Sequence, residues 1–140
     1  MSTLEFLTAV PPFKELLPAE LHRLFAAAAR CEFAPGDAIA VQDEPATECF
    51  VIASGSAAVT RGRTGTSHVA VLKPGDLFGE IALIDGSRRS ATVTALEPTE
   101  CFVLPAGALQ DCLAANRAFS FALLQMAVLR LAELERAAEG

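Results

Sequence analysis

The stretch GDLFGEIALIDGSRRSATV, residues 75–93, sets a glycine, a carboxylate, a short apolar run and two guanidinium groups between segments of strand-like texture. Gly79, Glu80, Ile81, Ala82 and Leu83 read as a short helical turn directly after Leu77 and Phe78. The amides at the start of such a turn lack intrahelical partners and attract anions. Gly79 permits close approach to the backbone, while the apolar run anchors the turn on an interior. Nine positions beyond Glu80, Arg89 precedes Ser90 and Ala91 at the start of a strand. A guanidinium beside free amides suits a phosphate, through paired charged hydrogen bonds. Glu80 would repel that phosphate, so its carboxylate is expected to face hydroxyl donors such as those of a ribose. A ligand with one anionic phosphate beside a sugar hydroxyl meets both demands. The alternative is that Glu80 and Arg89 pair with each other and Gly79 makes an ordinary turn.

Elements on either side must hold these residues. The segment PAELHRLFAAAAR places Leu21, Leu24, Phe25 and Ala28 on one helical face, with Pro18 and Glu20 at its start and Arg30 at its end, after a looser apolar turn around Leu4 to Val10. From Cys31 onward, short apolar runs alternate with Gly and Pro, the texture of an antiparallel barrel or jelly-roll. The polar RGRTGTSH, Arg61 to His68, reads as a hairpin loop with solvated arginines. After Pro105 two helices follow. In the last, Phe121, Leu124, Val128, Leu131, Glu135 and Ala138 form one stripe, and Leu123, Ala127, Arg130 and Leu134 lie beside it. One stripe suffices to dock on the strands; the second is accounted for equally by docking there and by a helix-mediated homodimer.

The expected fold is mainly β with flanking α: an antiparallel β-roll (double-stranded β-helix or jelly-roll) with an N-terminal helix and two C-terminal helices. The 140 residues are expected to form a single domain, with a helical start over 1–30, the β-roll over 31–105 and C-terminal helices over 106–138. Hydrophobic residues make up 52% and charged residues 20%, with mean hydropathy +0.39, a composition that folds. No apolar run reaches the length of a membrane span, and the opening MSTLEFLTAVPP lacks a basic start and an apolar signal core, so a soluble cytoplasmic protein with no membrane partner is expected. Net charge −6 and pI about 4.9 argue against broad binding to nucleic acid, so an anionic ligand needs a local positive site. Cys31, Cys49, Cys101 and Cys112 have no metal-ligand spacing and read as small apolar residues. His22 and His68 are the only histidines, so no metal is expected, and with no nucleophile, zinc or Walker motif, neither is an enzyme.

The stretch FGEIALIDGSRRSATV closely resembles the phosphate-binding cassette of the cyclic nucleotide-binding domains, covering residues 78–93, and the resemblance extends through APGDAI, VQDEPATECFVIASGSAAV and LKPGDLFGE to nearly the whole chain from Leu16. It implies that Gly79 and Ala82 offer amides, with Ile81 between them. It further implies that Glu80 accepts the ribose 2′-hydroxyl, that Arg89 binds the phosphate oxygens, and that Ser90 and Ala91 add hydroxyl and amide donors. The family's final helix acts as a lid, which here implies Leu134, Glu135 and Arg136 over the base, with no aromatic ring to stack on it. Arg88 has no role in the motif. Asp43 stands where the family usually has glycine; Asp tolerates a positive φ better than most residues. Ser90 leans toward cAMP over cGMP.

The function implied is a regulatory sensor whose C-terminal helices relay cyclic nucleotide occupancy through differential affinity for two helix positions. The other readings are a sensor domain truncated from a larger regulator, transporter or enzyme, and a degenerate domain that no longer binds nucleotide. The chain stops before any helix-turn-helix, so nucleic acid is not an expected partner of this chain alone.

Overall fold

A computed structural model describes residues 3–62 and 67–139. The N-terminal part comprises α1 (Thr3–Leu7), a 3-10 turn (Phe13–Glu15) and α2 (Pro18–Ala26). The strands are β1 (Ala29–Phe33), β2 (Ala38–Ala40), β3 (Glu48–Ser54), β4 (Ala57–Arg61), β5 (Ser67–Leu72), β6 (Leu77–Phe78), β7 (Thr92–Ala95) and β8 (Thr99–Pro105). Helix α3 (Glu80–Asp85) interrupts them, and α4 (Ala106–Ala115) and α5 (Arg117–Glu139) close the chain. The strands form two antiparallel four-stranded sheets, ordered β1-β8-β3-β6 and β2-β7-β4-β5. This is the antiparallel roll with flanking helices that the punctuation of the chain implies.

The runs Cys49-Phe50-Val51-Ile52 and Cys101-Phe102-Val103-Leu104 lack polar alternation because β3 and β8 are buried on both faces. Cys49, Val51, Phe102 and Leu104 face a core shared with the helices, including Phe13, Leu24, Phe25, Leu109, Phe119 and Leu123. Phe50, Ile52, Cys101 and Val103 face the opposite way into the roll, against Ile39, Leu72, Phe78 and Val93. Burial pushes the Cys49 and Cys101 thiols up to about 12, which keeps them protonated.

Helix α2 ends earlier than its apolar spacing suggests. Ala29 and Arg30 are already strand, paired with Val103 and Phe102, and Arg30 lies over the Phe102 ring while bridging to Glu100. Sheet pairing at both residues overrides helix propensity, so the roll begins at Ala29 and not at residue 31. The start of the chain is also more ordered than a loose turn, with α1 seating Leu7 in the core. The hairpin expected over Arg61–His68 is present as the β4–β5 pair, with Arg61 opposite Ser67; residues 63–66 lie outside those described.

Asn116 forms the joint between α4 and α5. Its Nδ2 donates to the Glu15 carbonyl at 2.9 Å and to Glu20 Oε1 at 2.8 Å, and its Oδ1 accepts the Phe119 amide at 2.9 Å. Glu20 Oε1 also accepts the Leu17 amide that opens α2. The joint is thereby tied to the N-terminal layer.

The two apolar stripes of α5 part company in space. Leu123 and Ala127 are buried, whereas Phe121, Leu124 and Val128 are 63%, 56% and 56% exposed. Leu123→Ala is expected to cost about 3 kcal/mol of stability in urea unfolding and Leu124→Ala less than about 0.5 kcal/mol, and equal costs would show that the docked face is misassigned.

Candidate functional site

The site is built where β6 runs into α3. Gly79 stands at φ +83 before α3, and Gly86 ends the helix at φ +72. A Cβ on Gly79 would lie 2.5 Å from Arg89 Nη1, so the space that glycine frees is filled by the Arg89 guanidinium. That refines the reading of Gly79 as room for a ligand: its first occupant is the arginine itself.

Arg89 is 8% exposed and held on three sides. Nη2 donates to the Glu48 carbonyl at 2.8 Å, Nη1 to the Gly79 carbonyl at 3.4 Å, and its guanidinium carbon lies 5.3 Å from the centre of the Phe50 ring. Phe50 stacks on Phe78 at 5.1 Å, so the cationic plane rests on a fixed aromatic pair. Burial pulls the Arg89 pKa below that of a free guanidinium, and the nearby Glu48 carboxylate opposes the shift. The remaining N–H groups of Arg89 are unengaged by these bonds and are directed by them.

Glu80 does not pair with Arg89. Its side chain has no exposure, and both its oxygens accept from Arg130 Nη1 of α5, at 3.0 and 3.2 Å. Burial raises the Glu80 pKa above 4.5, and the Arg130 charge opposes that rise. The sequence puts Arg130 with Leu123, Ala127 and Leu134 beside the first stripe and gives it no role; the available signal is a cation on an otherwise apolar face, fifty residues from its partner.

A cavity of about 390 Å³ opens beside these groups, within the roughly 300–1,000 Å³ of small-molecule sites. Gly79, Glu80, Ala82, Arg89, Ser90 and Ala91 lie on its wall together. Its apolar side is Ala40, Val59, Ala70, Leu72 and Val93 of the roll. The Ile81 side chain lies outside those described, while Ala82 is buried and Leu83 packs on the helix-side core. From α5, the wall takes Met126, Leu129, Arg130 and Glu133. Glu135 and Arg136 are exposed and not on that wall, and the Leu134 side chain lies outside those described. Helical rotation turns Glu135 away, and Arg136 falls one turn beyond Glu133. Arg88 is exposed and its guanidinium donates to the Asp43 carbonyl, away from the cavity.

Among the described residues no three His, Cys, Asp or Glu side chains gather as a metal site, and no single helix is long and apolar enough to cross a membrane. His22 is exposed on α2, and the His68 side chain lies outside those described.

A roll with a glycine-led helical turn, a buried arginine and a closing C-terminal helix defines a class of small-ligand regulatory domains, and the comparisons give it its family. Residues 30–116 match the model described as the cyclic nucleotide-binding domain. The chain is 34% identical over 108 residues to a cAMP-dependent protein kinase regulatory subunit of Hypocrea atroviridis, covering 77% of this chain and 23% of that protein. It is 37% identical over 97 residues to a cGMP-dependent protein kinase of Eimeria tenella, covering 69% of this chain and 9% of the relative. Among solved structures, the regulatory subunit of a cAMP-independent protein kinase A from Trypanosoma brucei superposes with TM-score 0.79 at 26% identity, over 88% of this chain and 43% of that one. The chain belongs to the cyclic nucleotide-binding domain family, and it spans less than a quarter of the length of these curated relatives.

The Glu80–Arg130 pair gives a pH-dependent prediction. With its folded pKa raised, Glu80 favours the folded state most below 4.5, and that contribution fades as pH rises through the folded value. Removing Arg130 leaves a protonated Glu80 tolerable and an ionised one stranded. Arg130→Met is therefore expected to cost little near about pH 4 and about 2–3 kcal/mol near about pH 7, measured by urea unfolding across pH. A pH-independent cost would mean that the pair does not govern Glu80.

Proposed function

We propose that this chain binds a cyclic nucleotide, cAMP ahead of cGMP, as a regulatory sensor module in which the C-terminal helices relay occupancy, and that it catalyses no reaction and uses no metal. The observation that carries this reading is the gathering of Glu80 and Arg89, with the Gly79, Ala82 and Ala91 backbone, on the wall of one cavity that α5 closes. The phosphate is assigned to the free N–H groups of Arg89, the amides of Gly79, Ala82 and Ala91, and the Ser90 hydroxyl; Ile81 shares the same turn. The ribose 2′-hydroxyl is assigned to Glu80.

Both Glu80 oxygens on the cavity wall are taken by Arg130, so a sugar hydroxyl reaches them only as Arg130 gives way. That displacement is the proposed relay, since it acts on α5 directly and gives the ligand different affinities for two helix positions. The base is assigned to the apolar space between the roll and α5, covered by Met126 and Leu129, with Leu134, Glu135 and Arg136 in the following turn. Ser90 after the phosphate arginine favours cAMP. The module acts as a single cytoplasmic domain, alone or within a longer protein, and without nucleic acid or a membrane as its own partner.

Calorimetry tests the core of this reading. Wild type is expected to bind cAMP more tightly than cGMP, and Arg89→Ala to weaken cAMP by at least about thirtyfold, the scale for removing one member of a buried charged contact. No heat from wild type with either nucleotide overturns the reading in favour of a domain that no longer binds nucleotide.

A second proposal follows from the exposed Phe121, Leu124 and Val128: a homodimer through α5. Sedimentation is expected to show a dimer that Leu124→Glu converts to monomer, and a wild type that stays monomeric at every concentration removes the proposal.

A further inference from the structure

Arg88 takes no part in the cavity, yet it sits on the structure that fixes the residue after it. Asp43 stands at φ +71, the single non-glycine positive φ among the described residues. Its amide donates to the Arg89 carbonyl at 2.9 Å, and the Arg89 amide donates to the Glu44 carbonyl at 3.0 Å, so the Asp43–Glu44 turn grips the Arg89 backbone on both sides. The peptide between Asp43 and Glu44 is itself pinned at both ends: Arg88 Nη1 donates to its oxygen at 3.0 Å, and its N–H donates to the Val41 carbonyl at 3.2 Å. Pro45 and Arg88 form a β-bridge, and the Gln42 amide donates to Thr92 Oγ1 at 3.0 Å, which fastens the same turn to the start of β7.

We propose that Arg88 is a positioning residue for Arg89: by holding the Asp43 carbonyl it keeps the left-handed turn that clamps the Arg89 backbone, and so fixes where the Arg89 guanidinium meets the phosphate. An L-residue with a side chain resists positive φ, whereas glycine does not. The Arg88 bond supplies at Asp43 the restraint that a glycine would make unnecessary. The effect on ligand rests on the cyclic nucleotide reading; the clamp itself does not.

The competing account is that Arg88 only adds positive charge near an anion. That attraction is screened by salt, whereas a geometric restraint persists. Cyclic AMP affinity is therefore measured by calorimetry for wild type, Arg88→Ala, Asp43→Gly and the double variant, at about 0.1 M and about 1 M salt. Arg88→Ala is expected to weaken binding about fivefold, the scale of one hydrogen bond, at both salt concentrations. In the Asp43→Gly background the same change is expected to cost less than about twofold. Unchanged affinity, a deficit that vanishes at high salt, or an equal deficit in the Asp43→Gly background overturns the proposal. Amide hydrogen exchange on the ligand-free proteins separates the two readings: Arg88→Ala is expected to accelerate exchange at the Arg89 amide, and unchanged exchange refutes the clamp even where wild type binds no nucleotide.

Discussion

A carboxylate with no solvent exposure has to find a counter-charge or give up its own. Glu80 finds Arg130, and through that contact a six-residue helix in the middle of the roll is fastened to a 23-residue helix at its end. The pair gains little over an apolar contact of the same shape, because two ions have left water to form it. Losing one partner is another matter, since the survivor stays desolvated and unpaired. The cassette and α5 therefore hold their relative position less by attraction than by the penalty on separating.

The layering of the roll makes this junction stiff. On β3, Phe50 turns inward to carry Arg89 and to stack on Phe78, while Cys49 and Val51 turn outward into the core beneath the helices. One strand thus supports the Arg89 guanidinium on one face and the helix layer on the other. On β8 the same division holds, with Val103 inward and Leu104 outward. A close-packed interior transmits displacement and does not absorb it.

What could be read from residue order follows from sequence distance. Gly79, Glu80, Ala82, Arg89, Ser90 and Ala91 belong to one strand–turn–strand segment, so their types and spacing already carry the arrangement in which they share a wall. The contacts that decide how they behave come from elsewhere in the chain. Glu80 meets Arg130 from fifty positions away, Arg89 meets the Glu48 carbonyl, and Arg88 meets the Asp43 carbonyl. Two of these acceptors are backbone carbonyls, which every residue type has, so no residue type could announce them. Arg130 did carry a signal, as a cation on the face that holds Leu123 and Ala127. The runs at Cys49–Ile52 and Cys101–Leu104 read as strands, but their burial on two faces depends on the helices packing over them, and helix propensity through Ala29 and Arg30 yields to pairing with β8.

Helix α5 ends up with three faces and three tasks. Leu123 and Ala127 dock it, Met126, Leu129, Arg130 and Glu133 border the cavity, and Phe121, Leu124 and Val128 face solvent. Leu129 is on the cavity wall and still 67% exposed, so under the proposed reading its apolar surface is what the base would cover. Each square ångström covered gains about 25 cal/mol, so a half-covered leucine contributes on the order of 1 kcal/mol toward the helix position that covers it. Because a helix rotates as one body, a shift that brings Leu129 over the cavity also turns the Phe121–Leu124–Val128 face. Under the proposed relay, an inward contact with ligand and an outward change of surface are one motion of a helix that Leu123 and Ala127 hold on the roll.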